Sequence, residues 1–245
     1  MTGAPTIAAA LAARLPPSLA TYGTRVAVGP CGEGACPAAS LRDPATLDGI
    51  LARFGAAYAA KGAPPDRRSL VSLWSQSYLA ALIIPSATAL LCLGRALPVA
   101  FEAVAFELDG AHTLARFLIP AEAPAGEGGF STLVSGHLDP FIGLCAARTG
   151  VSPRALWGNA GVMLDFTLRE LAAAGPLLPG PAAEAAALLG RPPCAAHACP
   201  LARTFRIPGA GAGCPRRVCC LRYRLPGVPS CGALCPTHHK TDKPC

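Results

Sequence analysis

Lysine is almost missing from this chain: 18 arginines stand against three lysines in 245 residues, and methionine and tryptophan occur twice each. With its richness in alanine, glycine and proline, this bias reads as the coding preference of a GC-rich genome, so the alanine-rich stretches carry no functional weight. No phosphate-cradling Walker loop and no dinucleotide fingerprint occurs, which removes the sequence basis for a nicotinamide or flavin site. No internal repeat is present, which excludes a solenoid. The N-terminal stretch MTGAPTIAAALAARLPPSLA has no basic residue before its short apolar run, and its first charge is Arg14. That order is wrong for a secretory signal, and the expected compartment is the reducing cytoplasm.

Acidic residues are missing where they would matter most. From Arg191 to Cys245 there are nine basic residues and one acid, Asp242, whereas residues 1–190 hold 12 basic and 13 acidic residues. The net charge of +7 is therefore a property of the last quarter of the chain. Such a patch attracts an anion, whether nucleic acid, a membrane surface, an acidic protein, or an anionic metal centre of the protein itself.

The longest charge-free run, Ser69 to Gly94 (SLVSLWSQSYLAALIIPSATALLCLG), is long enough to raise the question of a membrane span. Its polar front half and central Pro85 argue instead for two buried helices meeting at the proline. Upstream, Asp43-Pro44 starts a helix presenting Leu47, Ile50, Leu51, Phe54 and Tyr58 on one face and ending near Gly62. Val104, Phe106 and Leu108 alternate before Asp109-Gly110, and a second apolar run ends at Ile119, which predicts a β-hairpin. Further helices are expected over Phe130–Arg148, over Pro153–Ala174 with Ser152 as cap and Gly175-Pro176 as stop, and over Pro181–Leu189. The expected fold class is mainly α (α+β): a helical body with a small β-hairpin over residues 1–190, and a cysteine-rich C-terminal segment over 191–245.

Twelve cysteines in a chain with no export signal point to metal or redox work rather than disulfides. Cys219 and Cys220 are adjacent; neighbouring Cα atoms lie about 3.8 Å apart, whereas disulfides want roughly 4.4 to 6.8 Å. A bridge between them would be strained. With Cys231 and Cys235, beyond a Pro-Gly turn, they form a four-sulfur set suited to zinc or to an iron-sulfur cluster, and geometry alone does not separate the two. A vicinal pair does not form the usual zinc knuckle, and Arg216, Arg217, Arg222 and Arg224 would stabilise an anionic cluster, so the spacing leans towards 2Fe-2S. Cys31, Cys36, Cys194 and Cys199 lack partners in their own segments and read as unconnected loop thiols. Cys92 and Cys145 read as core, as do Trp74 and Trp157. His137, beside Asp139, reads as a satisfied structural histidine, and Asp165 and Glu170 read as solvated.

The segment RVCCLRYRLPGVPSCGALC resembles the C-terminal signature of FhuF-type ferric-siderophore reductases. LVSLWSQSYLAALIIP (Leu70 to Pro85), LWGNAGVMLDFTL (Leu156 to Leu168) and PLARTFRI are similar to the family's helical body, in the same order. The resemblance implies a 2Fe-2S cluster held by Cys219, Cys220 and, after the expected ten-residue gap, Cys231. Gly232, Ala233 and Leu234 put three residues before Cys235 where the family has two. Cys235 is the favoured fourth ligand, with Cys214, Cys245, His238 and His239 in reserve.

The function implied is one-electron reduction of chelated Fe(III) to Fe(II), releasing iron after siderophore uptake. The partners implied are a ferric siderophore and a separate electron donor, with no nucleic acid, and with room for a peripheral contact at the inner face of the membrane or with a siderophore importer. The rival readings are a zinc-stabilised module binding nucleic acid or protein, and a 2Fe-2S electron carrier or sensor. Only Phe205 and Tyr223 lie among the tail's arginines, which weakens single-strand binding.

Overall fold

The computed structural model describes residues 6–30, 32, 34–59, 64–121, 129–191, 199–207 and 214–237. Cys31, Cys194, His197, His238, His239 and Cys245 lie outside the described residues. The architecture is mainly helical with one four-stranded sheet, as the fold class anticipates.

The central element is α3 (Arg67–Leu93), whose 27 residues include 20 that are buried. Asp66 caps it by accepting from the Ser69 amide at 2.9 Å. Gly94, at φ +64°, closes it in the left-handed conformation that glycine adopts without a Cβ penalty. The expected break at Pro85 does not occur, and the helix runs through it. A mid-helix proline costs about 3 kcal/mol. Leu82, Ile83, Ile84, Leu90 and Leu91 are all buried around it, each contributing roughly 1.5–3 kcal/mol, so packing outweighs the broken ladder. By length and composition α3 could cross a membrane, but 78% of its most apolar window is buried inside the protein.

The predicted hairpin is present as β3 (Ala105–Leu108) and β4 (Leu114–Ile119), antiparallel with Phe106 opposite Phe117. Its turn is longer than an Asp-Gly pair alone. Asp109 Oδ1 accepts from the amides of Ala111 and Thr113, and His112 rather than Gly110 takes positive φ. Trp74 Nε1 donates to the His112 carbonyl at 3.1 Å and ties the turn to α3. Two short strands complete the sheet: β1 (Val26–Val28) pairs parallel with β4, and β2 (Cys36–Pro37) pairs antiparallel with β3.

Before the sheet lie α1 (Ile7–Ala12) and α2 (Pro44–Gly55), the latter capped by Asp43 and ending before the expected Gly62. After it, the expected single helix over Phe130–Arg148 is α4 (Ser131–Leu133), a π turn (Val134–Leu138) and α5 (Asp139–Thr149) in unbroken succession. Pro140 has no N–H to return to the Gly136 carbonyl; the Phe101 amide donates to that carbonyl instead, at 2.9 Å. Next, α6 (Pro153–Ala174) has the predicted bounds, although the Ser152 side chain makes no cap bond. The last helix is α7 (Pro179–Leu188).

Candidate metal centre

Helices α3 and α6 pack together, and the C-terminal segment lies across them. Two glycines of α6 make this possible. A Cβ on Gly161 would sit 1.8 Å from Thr204 Oγ1, and one on Gly158 would sit 3.0 Å from an Arg216 guanidinium nitrogen. They are three residues apart and so share a face. Within the segment, Phe205 and Arg216 form an antiparallel bridge, and the Arg217 amide donates to the Thr204 carbonyl at 2.8 Å. The Arg216 amide donates to the Leu234 carbonyl at 2.9 Å, bringing the second cysteine pair alongside.

Arg216 is buried, at 3% exposure. Its Nη2 donates to Asn159 Oδ1 at 2.6 Å and to the Ala155 carbonyl at 3.2 Å, both on α6. Asn159 in turn donates to the Ser72 carbonyl at 2.9 Å and to Ser75 Oγ at 3.1 Å, and Ser72 Oγ donates to the Cys220 carbonyl at 2.7 Å. A polar chain thus runs from the body into the vicinal pair. Burial pulls the Arg216 pKa down, and the thiols of Cys220, Cys231, Cys219 and Cys235 all act to raise it. All four thiols thus act electrostatically on this one guanidinium.

Cys220 and Cys231 Sγ lie 3.9 Å apart. Two thiolates on one tetrahedral metal at a metal–sulfur distance of about 2.3 Å sit roughly 3.8 Å apart, so this edge already has ligand spacing. The hydrogen bond with Cys231 lowers the Cys220 thiol against its burial, helped by Arg216 and by the amide and charge of Arg222; the same bond and burial raise Cys231. Cys219 Sγ accepts from the Leu221 amide at 3.3 Å, and Leu221 itself is left-handed at φ 62°. The three residues between Cys231 and Cys235 form one 3-10 turn, Gly232–Leu234. Cys235 is buried, its sulfur 3.0 Å from Thr237 Oγ1. Cys214 is also buried, its sulfur accepting from the Ile207 amide at 3.4 Å.

Beside Cys231 opens a cavity of about 330 Å3, whose lining includes Gln76, Asn159, Arg216, Arg222 and Ser230. Three buried donors on that lining, Gln76 Nε2, Arg216 Nε and Arg222 Nε, have no hydrogen-bond partner among the described residues. Buried donors left unpaired cost about 1–3 kcal/mol each, so they call for an acceptor. Among the described residues, no three His, Cys, Asp or Glu side chains are gathered closely enough for a single metal ion. An anionic group bearing sulfur acceptors would satisfy the three unpaired donors.

The four arginines expected around the pair divide. Arg216 and Arg222 bear on the Cys220 sulfur, Arg224 pairs with Asp66 at 3.2 Å, and Arg217 lines a different cavity. Asp165 corrects the expectation of a solvated carboxylate: it is 2% exposed and paired with Arg169 and Arg191. Glu170 accepts from Ser18 Oγ at 2.5 Å. His137 is the structural residue expected, fully buried, with Nδ1 2.5 Å from the Val99 carbonyl and Nε2 2.8 Å from the Tyr78 hydroxyl. Asn159, Gly158, Gly161 and Gln76 escaped the sequence reading; the only signal for them was their presence in LWGNAGVMLDFTL and, for Gln76, in LVSLWSQSYLAALIIP.

A helical body whose C-terminal segment sets Cys220 and Cys231 at ligand spacing beside buried cationic donors defines a candidate metal-binding protein. The chain belongs to the FhuF-like family: residues 72–212 match the family model described as "Ferric iron reductase FhuF-like transporter". The matched region ends before Cys219. A ferric siderophore reductase of Escherichia coli (strain K12) is 28% identical over 176 residues, covering 68% of this chain. The match spans 65% of that relative's own length, a little under two thirds.

Proposed function

We propose that this chain is a cytoplasmic ferric-siderophore reductase holding a 2Fe-2S cluster on Cys219, Cys220, Cys231 and Cys235. The observation that carries the reading is the Cys220–Cys231 edge at ligand spacing, opening beside Arg216 on a cavity whose lining holds three buried donors without acceptors among the described residues. The name of the Escherichia coli relative supports a ferric siderophore as substrate.

When bound, the group supplies one electron at a time. Gln76, Arg216 and Arg222 would donate to it, and the two guanidiniums would offset its negative charge and favour the reduced form. The Leu221 amide would steady Cys219. The polar chain through Asn159, Ser72 and Ser75 holds Arg216 in place. Ferric iron in the chelate takes up the electron and leaves as ferrous iron, which oxygen ligands hold far less tightly. No side chain need move a proton. The electron comes from a separate donor, since the chain carries no dinucleotide fingerprint.

Anaerobic purification followed by iron, sulfide and zinc analysis, with visible spectra before and after dithionite, tests this. About two iron and two sulfide per chain, with a brown colour that bleaches on reduction, is expected. A colourless protein loaded with zinc would promote the binding-module reading. A cluster-loaded protein that reduces no ferric chelate would be a carrier or sensor.

A further inference from the structure

Cys220 and Cys231 carry a chemistry that electron transfer does not use. Both are free thiols, and their sulfurs are in contact, 3.9 Å apart. Cys220 is the fixed member: it is buried, and Ser72 Oγ on α3 donates to its carbonyl at 2.7 Å. Cys231 is the member with freedom to shift. It is half-buried, and its neighbours Pro229, Ser230, Gly232 and Ala233 are all exposed. The chain from Leu221 to Ser230 turns back on its own bonds: the amides of Arg224, Leu225 and Val228 donate to the carbonyls of Leu221, Arg222 and Leu225, and Gly227 takes the positive φ of the turn, at 73°. Bringing the two sulfurs from contact to the bonded distance of about 2.05 Å therefore asks for side-chain rotation and a small shift of an exposed turn, with the loop already closed by the fold.

The other sulfurs of the segment are placed differently. Cys219 adjoins Cys220, where a bridge is strained. Cys235 is buried against Thr237 Oγ1, and Cys214 is buried with its sulfur on the Ile207 amide. Cys231, by contrast, is part of the wall of the 330 Å3 cavity, together with Gln76, Arg216 and Arg222. A molecule as small as a peroxide fits a cavity of that volume and can accept from the three donors there that lack partners among the described residues. Donors so placed stabilise the hydroxide-like oxygen that departs when a sulfur attacks a peroxide.

We infer that the metal-free chain is a peroxide-responsive switch, in which hydrogen peroxide entering this cavity joins Cys220 to Cys231 as a disulfide and closes the metal centre to loading until a thiol reductant reopens it. In the first step the Cys231 sulfur attacks one peroxide oxygen: an S–O bond forms, the O–O bond breaks, and the departing oxygen leaves as water with the thiol's proton. In the second the Cys220 sulfur attacks the Cys231 sulfur: an S–S bond forms, the S–O bond breaks, and a second water leaves with the Cys220 proton. The two thiols together lose two electrons, and the peroxide gains them. The switch rests on the cluster reading for its consequence, because the disulfide removes two of the four proposed ligands; the disulfide itself does not. Ferrous iron and peroxide together generate hydroxyl radical, so a chain that cannot load its centre while peroxide is present releases no ferrous iron into it.

The test treats the reduced, metal-free full chain with hydrogen peroxide under anaerobic conditions, followed by alkylation, intact mass and tryptic mapping. The expected product has lost two hydrogens and carries one cross-link, Cys220 to Cys231, which dithiothreitol reverses. Cys231→Ser should not form it, Cys92→Ser should form it as wild type does, and Gln76→Leu should form it roughly tenfold more slowly. The oxidised chain should take up no iron and sulfide until it is reduced. Oxygen gained without a cross-link, a cross-link to Cys214, Cys219 or Cys235 in place of this one, a rate indifferent to Gln76→Leu, or an oxidised chain that loads as readily as the reduced one would each overturn the inference. If the cross-link forms and the reduced chain takes up no iron and sulfide, the cluster reading fails and the disulfide stands. If the reduced chain loads and peroxide forms no cross-link, the reverse holds.

Discussion

Arg216 reaches from the C-terminal segment to Asn159 on α6, its Nη2 donating to Oδ1 at 2.6 Å, and both groups are buried. This contact fastens the cysteine segment to the helical body. It also joins that segment to the polar chain through Ser72 and Ser75.

Replacing Asn159 with alanine removes the guanidinium's strongest acceptor and strands a buried charge. We expect a loss of about 2 kcal/mol in stability and reduced iron retention, read by denaturant titration and iron analysis. Asn159→Asp should recover iron binding in part, because it keeps an acceptor for Arg216 while losing the donor to Ser72.

Gly161→Ala should separate segment docking from body folding. The new methyl would overlap Thr204 Oγ1, and overpacking of this kind costs about 1–3 kcal/mol. The expected outcome is near-normal helical circular dichroism with a protease-sensitive C-terminal segment and low iron content. Adding Thr204→Ala should relieve much of the defect; a purely additive double variant would contradict the packing argument.

Alanine at Cys219, Cys220, Cys231 or Cys235 should each abolish stable iron loading, whereas Cys214→Ala should retain about two iron per chain. Iron retained in Cys235→Ala and lost in Cys214→Ala would move the fourth ligand to Cys214.

Legibility in the sequence was uneven for physical reasons. Local signals carried α6, whose Ser-Pro start and Gly-Pro stop place its bounds at Pro153 and Ala174, and the β3–β4 hairpin, whose alternation is local too. Pro85 misled because its cost is local while the burial that overrides it comes from other elements. Strands β1 and β2, of three and two residues, are too short to show a period and owe their existence to β4 and β3. The cysteines stood out by spacing. The glycines that seat them could not, since Gly158 and Gly161 have meaning only through Arg216 and Thr204, some 40 to 60 residues further on. Asp165 looked solvated because its nearby partner Arg169 says nothing of burial, and its second partner, Arg191, lies 26 residues away.

Burial pulls the His137 imidazole down from 6.5 to about 4, against the opposing hydrogen bond to the Val99 carbonyl. The unfolded chain, with an ordinary imidazole, takes up a proton first as pH falls. The histidine's contribution is therefore complete above pH 6.5 and is lost progressively down to about pH 4. Comparing wild type with His137→Gln in denaturant at pH 7 and pH 4, we expect wild type to lose about 3 kcal/mol more. Equal losses would mean that His137 titrates normally.

The most direct test of the central claim is an anaerobic single turnover. Dithionite-reduced protein, freed of excess reductant, is mixed with a ferric siderophore while the visible spectrum is followed and ferrous iron is trapped by a colorimetric chelator. The account predicts reoxidation in one phase, with about one ferrous ion released per chain. A reduced protein that keeps its electron in the presence of every ferric chelate, or ferrous iron appearing at the same rate with a cysteine-to-alanine variant, would contradict it.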